Sequence, residues 1–191
     1  MNLRLGLLLV LVLAQWAVPG YLIQRGQATL REGTAYKFRT APVDPADPFR
    51  GRYLVLNFEA AWVTVPAGFD VEPRQPLYAP IEVDAEGFAR LGVPQKTRPD
   101  RGDWLRVVTG WRDDQQRLRV TLPFDRYYLD ENAAPAAERL YLAGNRRGAS
   151  AGARPTYAQV RVREGYAVIE DLVIDGQPLR ERLRDGEGAA P

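Results

Sequence analysis

The sequence predicts a mainly β protein, an antiparallel sandwich or partly open barrel with one short helix, plus an N-terminal transmembrane helix. Three observations predict this fold class. An uncharged apolar segment stands near the N-terminus, apolar and polar residues alternate along most of the remaining chain, and one segment is rich in helix-forming residues. Alternation with a period of two indicates strands that bury one face, as in antiparallel sheets.

The apolar segment near the N-terminus covers residues 5–23, which are 19 residues without a charge. A helix of this length spans roughly 28 Å, close to the ~30 Å core of a bilayer. Trp16 and Tyr21 stand where interfacial aromatic residues are found, which favours a retained signal anchor. A cleaved signal peptide ending near Ala14 is the alternative, and it would leave a secreted soluble domain.

Local charge does not decide the orientation of this helix, because basic residues stand on both sides of it. We expect the C-terminal part to be exported, because a short Leu-rich N-terminal segment acts as an export signal or signal anchor. The expected location is therefore the bacterial inner (cytoplasmic) membrane, crossed once. The predicted organisation is a short tail at 1–4, the signal anchor at 5–23, a stalk at 24–32, an extracytoplasmic β domain at 33–180 and a flexible C-terminal tail at 181–191.

The clearest strand is predicted at 53–64. Alternation places Leu54, Leu56, Phe58, Ala60 and Trp62 on one face, and Tyr53, Asn57 and Glu59 on the other. Further strands are predicted at 35–40, 77–83, 87–92, 104–111, 117–124, 157–163 and 166–174, the last two forming a hairpin around Glu164-Gly165. The short helix is predicted at 133–145, with Asn132 as its N-cap and Gly144 as its stop.

The residue types that are missing exclude several classes of function. The chain has no Cys and no His, and Ser150 is its only serine. Disulfide scaffolds, metal sites built from His or Cys, and nucleophilic triads that need these residues are excluded. The 26 basic and 24 acidic residues are interspersed, so we expect no nucleic-acid partner. The acidic residues lack the spacing of a calcium loop, so we expect neither a dedicated metal site nor a cofactor.

The most specific motif lies at 41–58, which reads APVDPADPFRGRYLVLNF. It resembles the GDYXXLXY family of small bacterial membrane-anchored proteins, and the residues that carry the resemblance are Asp44, Pro45, Asp47, Pro48, Gly51, Tyr53, Leu56 and Phe58. Arg52 stands where the family name has Asp, and Phe58 where it has the second Tyr. A second stretch at 124–131, FDRYYLDE, resembles the family's Tyr-Tyr segment before an acidic loop. The resemblance implies a membrane anchor and one extracytoplasmic domain, often beside a polytopic membrane protein, but it implies no activity.

The motif has a structural and a functional interpretation. In the structural one, Asp47-Pro48 begins a type I turn, Gly51 takes a positive φ, and Tyr53 enters a strand. In the functional one, the exposed face of that strand lines a ligand groove. The candidate ligand face then consists of Tyr53, Asn57, Glu59, Asp125, Arg126 and Tyr128.

These observations predict a membrane-anchored, non-enzymatic extracytoplasmic domain that binds or scaffolds a partner. The expected partners are the lipid bilayer and a polytopic membrane protein. The alternative is a ligand-binding or hydrolytic domain at the membrane surface, lined by carboxylates, Arg and Tyr. That alternative requires Glu59, Asp125, Arg126 and Tyr128 to converge on one concave surface.

Overall fold

The computed structural model describes residues 3–41, 53–130, 132–148 and 155–186. Its helices are α1 (Leu3–Glu32), α2 (Ala134–Gly148) and α3 (Leu179–Arg184), with a 3₁₀ turn at Glu59–Ala61. Its strands are β1 (Thr34–Ala41), β2 (Tyr53–Val55), β3 (Asn57–Phe58), β4 (Trp62–Thr64), β5 (Pro76–Val83), β6 (Ala89–Leu91), β7 (Trp104–Arg112), β8 (Arg117–Thr121), β9 (Arg126–Tyr128), β10 (Tyr157–Arg163), β11 (Tyr166–Ile174) and β12 (Gln177–Pro178).

The strands form two five-stranded antiparallel sheets, ordered β12-β11-β10-β1-β3 and β4-β8-β7-β5-β6, and a two-stranded ladder of β2 and β9. Strand β1 also contacts β6, which brings the two large sheets together as a nearly closed barrel. The core between them centres on three aromatic rings, with Phe124 5.2 Å from both Phe38 and Phe58. The predicted fold class is confirmed.

Helix α1 is one continuous helix of 30 residues that passes through Pro19 without interruption. Apolar side chains of its N-terminal half are open to solvent, as shown by Leu11 at 61% and Trp16 at 73% exposure. The stretch Gly6–Glu32 is long and apolar enough to cross a membrane, with a mean hydropathy of 2.0. The predicted stalk at 24–32 is the C-terminal part of the same helix.

The C-terminal end of α1 is packed against the first sheet through β10 and β11. Gly33 alone separates α1 from β1, and its N–H donates to the carbonyl of Thr29 at 2.9 Å. A Cβ on Gly33 would overlap that carbonyl and would lie 2.9 Å from the carbonyl oxygen of Val162. Arg163 adds an ion pair to Glu32 at 3.1 Å. The helix is therefore joined by a short and well-packed connection to the β domain that follows it, which we call the head.

The segment 53–64 differs from the single strand predicted for it. A 3₁₀ turn at Glu59–Ala61 shifts the alternation by one residue, so that Val63 is buried and Trp62 is only half-buried. The three short strands of this segment pair with different partners, β2 with β9, β3 with β1, and β4 with β8. The segment therefore connects all three sheets.

The hairpin of β10 and β11 follows the prediction. Arg163 pairs with Tyr166, which leaves Glu164-Gly165 as a two-residue loop with φ of 51° and 75°. Positive φ at both positions is the geometry of a type I′ turn. Ile174 pairs with Gln177 around a second loop of the same kind, Asp175-Gly176.

Helix α2 differs from its prediction at both ends. Asp130, rather than Asn132, supplies acceptors at its start, since its carbonyl accepts from the N–H of Ala133 and Ala134 at 3.1 and 3.0 Å. Gly144 lies within the helix, where a Cβ would overlap a methyl group of Ile174. The glycine allows close packing on β11 and does not stop the helix. At the C-terminal end, α3 continues to Arg184, beyond the domain boundary predicted at 180.

Candidate functional site

Two grooves of similar size lie on the head. The anchor groove, of about 490 Å³, lies between the end of α1, the first half of β11, β9 and the start of α3; its lining includes Leu30, Asp125, Arg126, Tyr128, Tyr166 and Arg180. The edge groove, of about 580 Å³, lies between the two edge strands of the second sheet, β4 and β6; its lining includes Arg39, Glu59, Trp62, Asp84, Arg90 and Arg117.

Two tyrosines and one arginine form a cluster because β2 and β9 pair in register, and Arg126 and Tyr128 of this cluster line the anchor groove. Tyr53 lies opposite Tyr128, and their ring centroids are 5.7 Å apart. The Arg126 guanidinium lies 5.0 Å from the centre of the Tyr53 ring. A hydrogen bond with Tyr128 and the nearby Asp125 carboxylate raise the pKa of Arg126 above its usual value. Tyr128 is 66% exposed, so the cluster presents an aromatic and cationic surface to solvent.

Beneath this cluster, Tyr127 points into the protein and links three elements. Its hydroxyl donates to Oδ1 of Asp171 on β11 at 2.7 Å and accepts from Nε of Arg180 on α3 at 3.1 Å. Burial, followed by the hydrogen bond with Asp171, raises the pKa of Tyr127 well above its usual value of 10.0. These bonds fix Arg180 at the rim of the anchor groove.

A β-bulge in β11 allows two neighbouring acidic residues to bind different partners. Glu170 is the extra residue of the bulge, since Val160 pairs with Ile169 and Gln159 with Asp171. Its carboxylate accepts from Arg161 Nε and from the Gln159 amide, each at 2.7 Å. The Arg161 hydrogen bond is the main reason that the pKa of Glu170 lies below 4.5. Asp171 is thereby left to bind Tyr127.

In the edge groove, the cationic side chains already have acidic partners. Arg39 forms an ion pair with Glu86, and Arg90 forms one with Asp84 at 3.3 Å. Arg117 is 2.8 Å from Asp113. The Asp84 carboxylate accepts the N–H of Phe88 at 2.9 Å, which is the main reason that its pKa lies below the usual 3.8.

The sequence-predicted ligand face is divided between these places. Tyr53, Arg126 and Tyr128 form one cluster, with Asp125 beside Arg126 at 3.6 Å. Glu59 lines the edge groove instead. Asn57 is half-buried on β3 and pairs with Ala41 of β1.

The motif residues are divided in a similar way. Leu56 and Phe58 are each 2% exposed and belong to the core. Tyr53 takes part in the tyrosine–arginine cluster. The remaining predicted motif residues, Asp44, Pro45, Asp47, Pro48 and Gly51, lie outside the described residues.

The sequence did not predict the groove residues that come from distant segments of the chain. Leu30 and Arg180 reach the anchor groove from opposite ends of the chain, and Arg39 and Arg90 reach the edge groove from separate sheets. No local spacing signals these positions, because each one is defined by packing between elements. Within the ranges that the structure describes, no group of three or more acidic side chains is placed to hold a metal ion.

The family model described as GDYXXLXY protein matches residues 15–172 of the 191-residue chain. The chain belongs to the GDYXXLXY family. The resemblance predicted from the motif at 41–58 is thus confirmed, and the match to the GDYXXLXY model extends from α1 into β11. Neither the curated proteins nor the solved structures contain a match to the chain.

Proposed function

We propose that this GDYXXLXY protein is a membrane-tethered adaptor without catalytic activity. Helix α1 crosses the bacterial inner membrane, and the head stands on the extracytoplasmic side. There the anchor groove binds an extramembranous segment of a polytopic membrane protein. The observation that carries the proposal is the composition of this groove, whose wall joins the anchor helix itself to an exposed tyrosine–arginine surface.

The position of the groove supports a partner that is itself in the membrane. Leu30 lines the groove and lies seven residues beyond Ile23, the end of the uncharged stretch. At 1.5 Å per residue, this places the groove wall roughly 10 Å above the end of the apolar helix. A loop or helix end of a neighbouring membrane protein lies at that height, so a membrane-bound partner reaches the groove without being recruited from solution.

The side chains of the groove support a protein segment as the ligand. Exposed Tyr and Arg are the residue types that contribute most to protein–protein binding. Tyr128 is 66% exposed, Leu30 is 37% exposed, and Arg126 and Arg180 add positive charge at the rim. An apolar segment that also carries a carboxylate is the complementary ligand.

Photocrosslinking in native membranes tests this proposal. A photoreactive amino acid at position 128 of the full-length protein should crosslink to a polytopic membrane protein whose extramembranous segment contains apolar and acidic residues. The matched control replaces Arg90, which is exposed in the edge groove. Crosslinking that is equal at both positions, or that is confined to soluble proteins, contradicts the proposal.

Substitution then identifies the contact. Arg126→Ala and Tyr128→Ala should each reduce recovery of that partner about tenfold, the effect expected of hot-spot residues. Arg90→Ala is the control and should leave recovery unchanged. Wild-type recovery with both groove variants would assign the contact to another surface.

A second candidate function rests on the edge groove. Its three carboxylates (Glu59, Glu82 and Asp84) and three arginines surround a space of about 580 Å³, enough for a small polar ligand. This site differs from the alternative predicted from the sequence, because only Glu59 of that residue set lines the edge groove, whereas Asp125, Arg126 and Tyr128 line the anchor groove. A thermal-shift screen of small polar ligands tests it, with Glu59→Gln as the variant expected to abolish a shift. The absence of any shift across the screen favours the adaptor.

A further inference from the structure

A third cleft lies where the anchor helix meets the head. It holds about 230 Å³ between α1 and the tip of the β10–β11 hairpin, and it is lined by Tyr21, Gln24, Arg25, Thr29, Arg163 and Glu164 among others. We call it the interface cleft. The adaptor proposed above does not use it.

The height of the interface cleft matches the headgroup layer of a bilayer. Its helical wall runs from Tyr21 to Thr29, on either side of Ile23, where the uncharged stretch ends. Arg25 lies roughly 3 Å beyond that end along the helix axis. The headgroup layer is about 5–8 Å thick on each side of the hydrocarbon core. The cleft therefore opens into this layer when α1 crosses a membrane.

Two guanidinium groups face the cleft. The Arg25 guanidinium lies over the Tyr166 ring, 4.6 Å from its centre, and Arg25 lines the cleft. Arg163 is 3.1 Å from Glu32 and retains 42% side-chain exposure. Planar guanidinium groups bind phosphate oxygens through paired, charge-assisted hydrogen bonds. The Glu164 carboxylate lies at the same cleft and opposes an anion.

The hairpin tip also packs against a group of aromatic and basic side chains. The backbone of Gly165, in the hairpin loop, lies against the Trp104 ring so closely that a Cβ would overlap it. The Trp104 ring is 5.0 Å from the Tyr78 ring, and the Arg98 guanidinium lies 4.9 Å from its centre. Tryptophan and tyrosine are enriched at the level of lipid headgroups. Aromatic and basic groups therefore lie at the same end of the head as the cleft.

We propose that the interface cleft binds the phosphodiester of a membrane phospholipid, with Arg25 and Arg163 as the phosphate ligands. The bound lipid would set how α1 and the head together are rotated relative to the bilayer. The proposal rests on the membrane tether of the proposed function, but it needs no protein partner.

Native mass spectrometry of the full-length protein in detergent tests the site, with phosphatidylglycerol as the probe. Arg25→Gln should weaken retention of the lipid about tenfold, as expected for the loss of one charge-assisted pair. Arg31→Gln is the matched control, because it removes the same charge from the same helix outside the cleft. Equal retention by wild type and both variants overturns the proposal.

Two further measurements keep the result interpretable. Glu164→Gln should strengthen lipid retention severalfold, because it removes a carboxylate that opposes the phosphate; weaker retention by this variant contradicts the assignment. Inorganic phosphate at millimolar concentration should not displace the lipid. Displacement would indicate a soluble-anion site and overturn the lipid assignment. These measurements use purified protein, so loss of partner crosslinking from position 128 leaves them unaffected, and the two proposals fail separately.

Discussion

The anchor groove and the edge groove have similar volumes, about 490 and 580 Å³, yet their charged groups are in different situations. In the edge groove, Arg39, Arg90 and Arg117 each form an ion pair with an acid. In the anchor groove, Arg126 lies 5.0 Å from the centre of the Tyr53 ring, has a hydrogen bond with Tyr128, and is 3.6 Å from the Asp125 carboxylate. Grooves of similar volume can thus differ in whether their basic side chains are held in close ion pairs.

The largest effect of a substitution on the free energy of unfolding is expected at the floor of the anchor groove. Phe124 lines this groove and is 6% exposed, with its ring 5.2 Å from Phe38 and Phe58. Phe124→Ala should lower the free energy of unfolding by about 3–5 kcal/mol, because it leaves a cavity in the core. Urea denaturation of the full-length protein in detergent measures this.

The control for this prediction comes from the edge groove. Val93 lines that groove and is 43% exposed, so Val93→Ala should change the free energy of unfolding by less than about 0.5 kcal/mol. Similar losses for Phe124→Ala and Val93→Ala would contradict the assignment of Phe124 to the core.

A smaller effect is expected at the layer beneath the tyrosine–arginine cluster. Tyr127→Phe removes the hydrogen bonds to Asp171 and Arg180 and should cost about 1–3 kcal/mol, because both partners are charged. Tyr78→Phe is the control, since its ring packs on Trp104 and should tolerate the change. The same denaturation experiment compares the two variants, and equal stability would show that the hydroxyl of Tyr127 contributes nothing.

The aromatic pair at the rim of the edge groove should contribute less to the free energy of unfolding. Trp62 lines this groove and packs edge-to-face on Trp111 at 4.8 Å, although Trp111 is 62% exposed. A double-mutant cycle with Trp62→Ala and Trp111→Ala should give a coupling free energy of about 0.5–1.5 kcal/mol. A coupling of zero would mean that the aromatic pair is only a surface contact.

The smallest effects should appear in the pH dependence of stability, at acid pH for the edge groove and at alkaline pH for the anchor groove. The pKa of Asp84 is lowered below 3.8, so its contribution is present above that pH and is lost as the pH falls through the folded-state pKa. The pKa of Tyr127 is raised above 10.0, so its contribution is present below pH 10 and is lost as the pH rises further. Asp84→Asn should flatten only the acid limb of a stability–pH curve, and Tyr127→Phe only the alkaline limb. The reverse pattern would contradict both assignments.

The parts of the fold that were predicted correctly are those that local sequence determines. The hairpin of β10 and β11 follows from alternation and from Glu164-Gly165, which supplies the positive φ of a two-residue turn. The segment 53–64 was read as one strand because Ala60 and Ala61 are both apolar, and a period-two pattern cannot show a phase shift between them. Its three different partner strands are a property of the tertiary structure.

The candidate site divides in the same way. Arg126 and Tyr128 are close in sequence and share one strand, so their common position was predictable. The contribution of Leu30 was not, because it depends on the end of α1 packing beside β11. The N-cap of α2 was assigned to Asn132 from its residue type, which cannot show that the backbone carbonyl of Asp130 accepts the N–H of Ala134.

The connection of one residue at Gly33 has a mechanical consequence. A flexible linker would let the head take many orientations relative to α1, whereas the packed joint at Gly33 makes α1 and the head move together. Hydrophobic helices tilt when the bilayer is thinner than their apolar length. A tilt of α1 would therefore swing the whole head through the same angle, and the local thickness of the membrane would affect how far the head leans.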